Sequence, residues 1–310
     1  MLPIVKGLLA GDRRSIARAI SIIDNNEADS HEIIRQVFKK TGNTKTVGFT
    51  GPAGSGKSSL IGSLIPECQA MASKVAVLAI DPTSPITGGA ILGDRVRMQE
   101  NLDDNKIFMR SMASRGAVGG VSRSLRNAIR ILDAAGYDLI LVESVGAGQL
   151  EIEISKVVDL SVVVFTPNTG DNIQAVKAGL SEIGDLYVVN KADLDGASTL
   201  YNSIVDLIGG TARRPTVLKT SAKTGKGINE LGQTINKLLK EKRINYKEQE
   251  RKMLEAELRD MVLNIVEHKV SSMLGKDNNF SEYVEKLLRK EIDPFVAAEQ
   301  LAATLYSARR

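Results

Sequence analysis

The run Thr46-Val-Gly-Phe-Thr50 passes straight into Gly51-Pro52-Ala53-Gly54-Ser55-Gly56-Lys57-Ser58-Ser59, and this junction decides the fold. It satisfies G-x-x-x-x-G-K-[ST], a loop between a strand and a helix whose glycines let backbone N–H groups turn inward around a phosphate. The N-terminus of the helix that follows adds its dipole. Lys57 is placed to bridge the β- and γ-phosphates of a nucleotide, and Ser58 to offer its hydroxyl to Mg²⁺. A chance glycine-rich turn is the competing reading, and the strand before and the helix after argue against it.

Further β-rich runs lie outward from this loop: Val75–Ile80 (VAVLAI), Leu139–Glu143 (LILVE), Leu160–Thr166 (LSVVVFT), Leu186–Asn190 (LYVVN) and Thr216–Lys219 (TVLK). Between them apolar residues recur at helical spacing, as at Leu125, Ile129 and Leu132. Near-continuous apolar strands separated by helices predict an α/β fold, a mostly parallel sheet between helices, of the P-loop NTPase kind. Ligands of such sheets bind beyond the carboxyl ends of the strands.

Asn190-Lys191-Ala192-Asp193 ends a later strand in the N-K-x-D form of a guanine reader. The Asp193 carboxylate can accept from N1–H and the exocyclic amine of guanine, a donor pair that adenine lacks. Lys191 can lie along the ring, and Asn190 can brace the loop. Thr220-Ser221-Ala222, after the last strand, would supply a backbone amide to the guanine oxygen, and Ser221, Ala222 and Lys223 stand among the nucleotide-binding candidates. The expected nucleotides are GTP and GDP. Glu143 closes its strand at the position that holds Mg²⁺ or its water, and Asp81 and Asp94 can converge there because adjacent strand tips share one crevice. Ser58, Asp81, Asp94 and Glu143 are the metal candidates; Lys57, Asp94, Glu143 and Gln149 are the candidates for hydrolysis.

Composition narrows the partners. The chain of 310 residues, 43% hydrophobic and 25% charged, is that of an ordinary globular protein. Forty-one Lys and Arg against 37 Asp and Glu leave only +4, with the bases interleaved among acids, so no nucleic-acid stripe is expected. One cysteine, Cys68, excludes an internal disulfide and fits a reducing cytoplasm; two histidines leave little for a metal cluster. No run approaches the ~18 apolar residues of a membrane helix, and no membrane partner is expected. The start is read as a folded amphipathic helix, with Ile16, Ala19, Ile20 and Ile23 on one side, rather than as a leader.

Three parts are expected: an N-terminal helical segment at 1–42, a nucleotide-binding domain at 43–240 and a C-terminal helical extension at 241–310. In the last, Leu254, Leu258, Met261, Val262, Ile265, Val266 and Val270 form an apolar stripe on a long charged helix. That stripe suits either packing on the core or a dimerisation arm. A later helix is expected to start at Pro294, capped by Asp293.

Asp81-Pro-Thr-Ser-Pro-Ile-Thr-Gly-Gly-Ala-Ile-Leu-Gly-Asp94-Arg-Val-Arg-Met98 resembles the signature of the MeaB/ArgK family. Glu143-Ser-Val-Gly-Ala-Gly-Gln149 is similar to its second switch, and Thr169-Gly-Asp171-Asn-Ile-Gln174-Ala-Val-Lys177 to its third. The likeness spans nearly the whole chain. It implies a GTPase that assists an adenosylcobalamin-dependent acyl-CoA mutase of the methylmalonyl-CoA type, coupling hydrolysis to loading or repair of the cofactor. It implies further that Lys57, Ser58, Asp81, Asp94 and Glu143 serve nucleotide and Mg²⁺, that Asp171–Lys177 responds to the partner, and that the C-terminal helices form a homodimer.

Two departures bear on the mechanism. Common small GTPases place a glutamine directly after the switch glycine, whereas Gln149 stands two residues further on. Arg115 lies in a Gly-rich stretch and suits either a phosphate contact or a surface loop. The cobalamin itself is assigned to a partner, since Asp29-Ser30-His31 begins a base-off motif but Ile34 stands where it needs glycine. A nickel-insertion GTPase and an ATP-dependent transport-associated kinase are the alternatives. Scarce Cys and His argue against the first, and Asp193 against the second.

Overall fold

The computed structural model describes residues 1–81, 107–113, 120–144, 149–167, 180–209, 215–242, 246–274 and 278–307. It divides into two compact units, Met1–Tyr246 and Lys247–Arg310. In the first, seven strands form one sheet with the order β3-β2-β4-β1-β5-β6-β7, every neighbouring pair parallel. They are β1 (Lys45–Thr50), β2 (Val75–Asp81), β3 (Ile107–Ala113), β4 (Leu139–Ser144), β5 (Leu160–Phe165), β6 (Leu186–Val189) and β7 (Thr216–Lys219). Six coincide with runs read from the sequence. The edge strand β3 was not expected there.

The period-2 alternation of the central strands divides the core. Val47 and Phe49 of β1, Val75 and Val77 of β2, and Leu139 and Leu141 of β4 face helix α4 (Lys57–Met71), packing on Leu60, Ile61, Leu64 and Cys68. On the opposite face Ala76, Leu78, Ile140 and Val142 meet Leu125, Ala128, Ile131 and Leu132 of the helix Gly120–Ala134. The N-terminal helices α1 (Pro3–Leu9), α2 (Arg13–Asp24) and α3 (Ser30–Val37) join that same cluster through Val5, Leu8, Ile16, Ile20, Ile33 and Val37. They share the core of the sheet. Asp12 caps α2, its carboxylate accepting from Ser15 N at 2.9 Å. His31 lies within α3, in the helical context expected of it.

Asp133 ties this helical layer to β1: its buried carboxylate accepts from the backbone N–H of Gly42, Asn43 and Thr44. Cys68 is fully buried, and burial pushes its thiol up to about 12.

The second unit holds most of the helix Tyr246–Leu274, followed by Asn278–Leu288 and Pro294–Ser307. As expected, Asp293 caps the last of these, its Oδ1 accepting from Phe295 N at 2.8 Å and Val296 N at 3.1 Å. Leu254, Leu258, Met261, Val262, Ile265 and Val266 are all exposed on the long helix.

Candidate functional site

Strand β1 ends at Thr50, and the chain turns over the C-terminal edge of the sheet through three glycines with positive φ: Gly51 (137°), Gly54 (74°) and Gly56 (84°). Such angles are strained for any residue with a Cβ. At Gly51 an added Cβ would also stand 2.1 Å from the Val164 carbonyl oxygen. Helix α4 starts directly at Lys57, so its orphan N–H groups open into the loop.

Lys57 is buried, and its Nζ donates to the carbonyls of Gly51 at 2.8 Å and Pro52 at 3.0 Å. Burial lowers the pKa of its ammonium, and the charges of Glu143 and Glu151 act against that. Ser58 donates its hydroxyl proton to Glu143 Oε1. Ser55 Oγ is buried and has no hydrogen-bond partner among the described residues, which leaves its hydroxyl available to a ligand.

The sheet register places the acids. Ala79 pairs with Glu143, so Asp81, two residues on, projects from the same face. Val75, Val77 and Ala79 of β2 and Leu139 and Leu141 of β4 lie lower in these same rows, which end in two buried carboxylates beside the start of α4. Asp94, Arg115, Gly146, Gly148 and the segment from Thr169 to Lys177 lie outside the described residues. Gln149 opens the helix Gln149–Ser155, and its side chain is likewise outside them.

Glu151 is a candidate that the sequence did not single out. It is only 2% exposed, one helical turn before Ile154. Ile154 sits so close over Gly48 of β1 that an added Cβ there would come within 3.0 Å of it. The charge of Glu151 acts on the Lys57 ammonium, which puts it within electrostatic reach of the Gly51–Ser58 loop. In sequence it is one of two acids alternating with isoleucines, indistinguishable from a surface carboxylate.

The loops at Asn190–Asp193 and Thr220–Lys223 meet the Gly51–Ser58 loop through Asn190. Its Nδ2 donates to Ser55 O at 3.0 Å, while its Oδ1 accepts from Thr220 Oγ1 and Ala222 N, both at 3.3 Å. Gly56 must be glycine for this approach, since a Cβ would stand 2.6 Å from Asn190 Nδ2. Lys191, in the left-handed region at φ 55°, extends its Nζ to Gly54 O at 2.9 Å. Asp193 is exposed and accepts from Ser221 Oγ at 2.5 Å, a bond that holds its carboxyl below the usual range. Lys223 follows in the same loop and is exposed. The brace expected of Asn190 is thus present.

Comparison with known proteins identifies this arrangement. Residues 16–275 match the family described as methylmalonyl Co-A mutase-associated GTPase MeaB. A GTPase-named protein of Pyrococcus abyssi is 43% identical over 307 residues, covering 96% of this chain and 94% of its own. GTPase ArgK of Escherichia coli K12 is 35% identical over 243 residues, 74% of this chain and 73% of that one. The mouse methylmalonic aciduria type A homolog, a mitochondrial protein, is 34% identical over 254 residues, 74% of this chain and 60% of its own. The crystal structure of a LAO/AO transport system kinase superposes with a TM-score of 0.69 over 98% of this chain and 96% of that chain. At 24% identity it speaks for the fold alone. The seven-stranded parallel sheet is the P-loop NTPase fold expected from the sequence, and the chain belongs to the MeaB family of GTPases.

Proposed function

We propose that this GTPase is a nucleotide-driven chaperone of an adenosylcobalamin-dependent acyl-CoA mutase, gating the loading or repair of the mutase's cofactor. The observation that carries this is the family match over residues 16–275, whose description names association with methylmalonyl Co-A mutase. The cobalamin belongs to the partner: the two histidines and single cysteine offer little to hold it here.

Lys57 and the amides at the start of α4 take the β- and γ-phosphates. Asp193 accepts from guanine N1–H and the 2-amino group, the amides of the Ser221–Lys223 loop read O6, and Lys191 lies along the ring. The hydroxyl of Ser58 and the carboxylates of Glu143 and Asp81 are hard oxygen donors, the kind Mg²⁺ takes, and the Ser58–Glu143 hydrogen bond already joins two of them. These residues fit the ion, which when bound would neutralise charge on the phosphates. Asp94 and Gln149 are proposed to complete the hydrolytic set. Loss of the γ-phosphate is then the change that the partner senses.

The test is hydrolysis with and without the mutase. The purified protein is expected to turn over slowly and to be accelerated by about a hundredfold when the mutase is added. Turnover of several per second alone, unchanged by the mutase, would sink the proposal.

The exposed apolar stripe of the helix Tyr246–Leu274 supports a homodimer through the C-terminal unit, because a run of this kind is normally covered by another surface. Leu258 and Val262 stand one turn apart, 64% and 49% exposed. The double substitution L258E/V262E is expected to halve the mass seen by light scattering. A wild-type protein that is monomeric at micromolar concentration would remove the dimer from the proposal. No helix among the described residues is long and apolar enough to cross a membrane. We propose a cytoplasmic location, with which a chain of one cysteine and no internal disulfide is compatible.

A further inference from the structure

Helix α4 leaves the phosphate loop with a polar row on one side, at Ser59, Ser63 and Glu67, spaced four residues apart and therefore on one face. Ser63 Oγ lies 3.0 Å from the Ser59 carbonyl and 3.1 Å from the Ala222 carbonyl, so one hydroxyl proton is shared between its own helix and the base loop. One turn further on, Glu67 Oε2 accepts from Asn229 Nδ2 at 3.2 Å, and Asn229 Oδ1 accepts from Gln233 Nε2 at 2.8 Å. Gly232 lets this second helix, Ile228–Lys242, approach closely; a Cβ there would stand 2.8 Å from Glu67 Cβ. The row thus fastens α4 to the base loop and to the helix after it.

Ala222 is gripped at both of its polar groups. Its N–H donates to Asn190 Oδ1, and its carbonyl is held by Ser63. The peptide from Ala222 to Lys223 is trans and planar, so fixing the Ala222 carbonyl fixes the direction of the Lys223 N–H. We propose that Ser63 is a specificity-determining positioning residue, which holds the Ala222 carbonyl so that the Lys223 N–H is aimed at the O6 of guanine. This rests on the base site proposed above and adds a residue that never touches the nucleotide. It also means that the helix leaving the phosphate loop sets how one edge of the base is read.

The test uses the full chain and four diphosphates, with ADP as the control for base recognition. GDP presents O6, 6-thio-GDP replaces that oxygen with the weaker acceptor sulfur, and IDP keeps O6 but lacks the 2-amino group read by Asp193. S63A is expected to weaken GDP by about fivefold to tenfold, the worth of one positioned hydrogen bond. It should leave 6-thio-GDP within about twofold and keep the GDP-to-IDP ratio unchanged. S63T, which retains the hydroxyl, should restore the preference for oxygen, and S63C, whose thiol is a poor donor, should behave as S63A. Equal weakening of GDP and 6-thio-GDP, or no change in either, overturns the role of Ser63 and leaves the base site standing. Equal binding of GDP and ADP by the wild-type protein would defeat the base site itself, and the role of Ser63 with it.

Discussion

Asp193→Asn is expected to lower GTP affinity by roughly 10²–10⁴-fold and to raise affinity for XTP. The side chain is a carboxylate near neutral pH, because the Ser221 hydroxyl bonded to it holds its pKa below the usual range. A carboxylate is acceptor-only and meets the two donors on the guanine edge; an amide turns one acceptor into a donor, which then faces the 2-amino group. Xanthine carries an oxygen at that position and accepts from the new amide. Titration of the wild type and variant with GTP, XTP and ATP checks this. GTP affinity within threefold of wild type would show that Asp193 does not read the base.

The second large effect is expected at Lys57. Replacing it with alanine removes the one buried ammonium that the carbonyls of Gly51 and Pro52 hold and that the charges of Glu143 and Glu151 face. Loss of a positioned cation at the transferring phosphate lowers turnover by on the order of 10²–10³-fold. Two carbonyls also lose their shared donor, so the nucleotide-free protein should be destabilised by about 1–3 kcal/mol. GTP, which raises the melting temperature of the wild type by mass action, should raise that of the variant far less. An unchanged nucleotide-induced shift in melting temperature would remove Lys57 from the phosphate site.

The sequence already carried most of the sheet because its central strands are buried on both faces and read as unbroken apolar runs. β3 escaped because its apolar run is broken. Arg110 and Ser111 interrupt it, and both are only half-buried. It is covered by α2, from which Arg13 Nη2 donates to Ile107 O at 2.7 Å and Ser21 Oγ accepts from Arg110 Nη2 at 2.6 Å. Those are tertiary contacts between segments about ninety residues apart, which no local pattern announces. In the candidate site, the Gly51–Ser58 loop and the Asn190–Asp193 motif were legible because phosphate binding by backbone amides calls for glycines, and guanine recognition for an acid, at fixed spacings. Glu151 and Ser63 were not. Each is placed by tertiary packing, Glu151 where its charge reaches the Lys57 ammonium and Ser63 against the Ala222 carbonyl. The apolar stripe from Leu254 to Val266 was visible as a periodicity, but its exposure became known only with the fold.

Cys68 has a practical consequence. A thiol buried among Leu60, Leu64 and the sheet, its pKa pushed up to about 12 by that burial, is expected to react slowly with maleimides and disulfide reagents. As the chain has no other cysteine, Ser198→Cys, at an exposed position beyond the Asn190–Asp193 loop, would be its only reactive sulfur. A single fluorophore there would report nucleotide exchange in real time, with no native residue to be removed first.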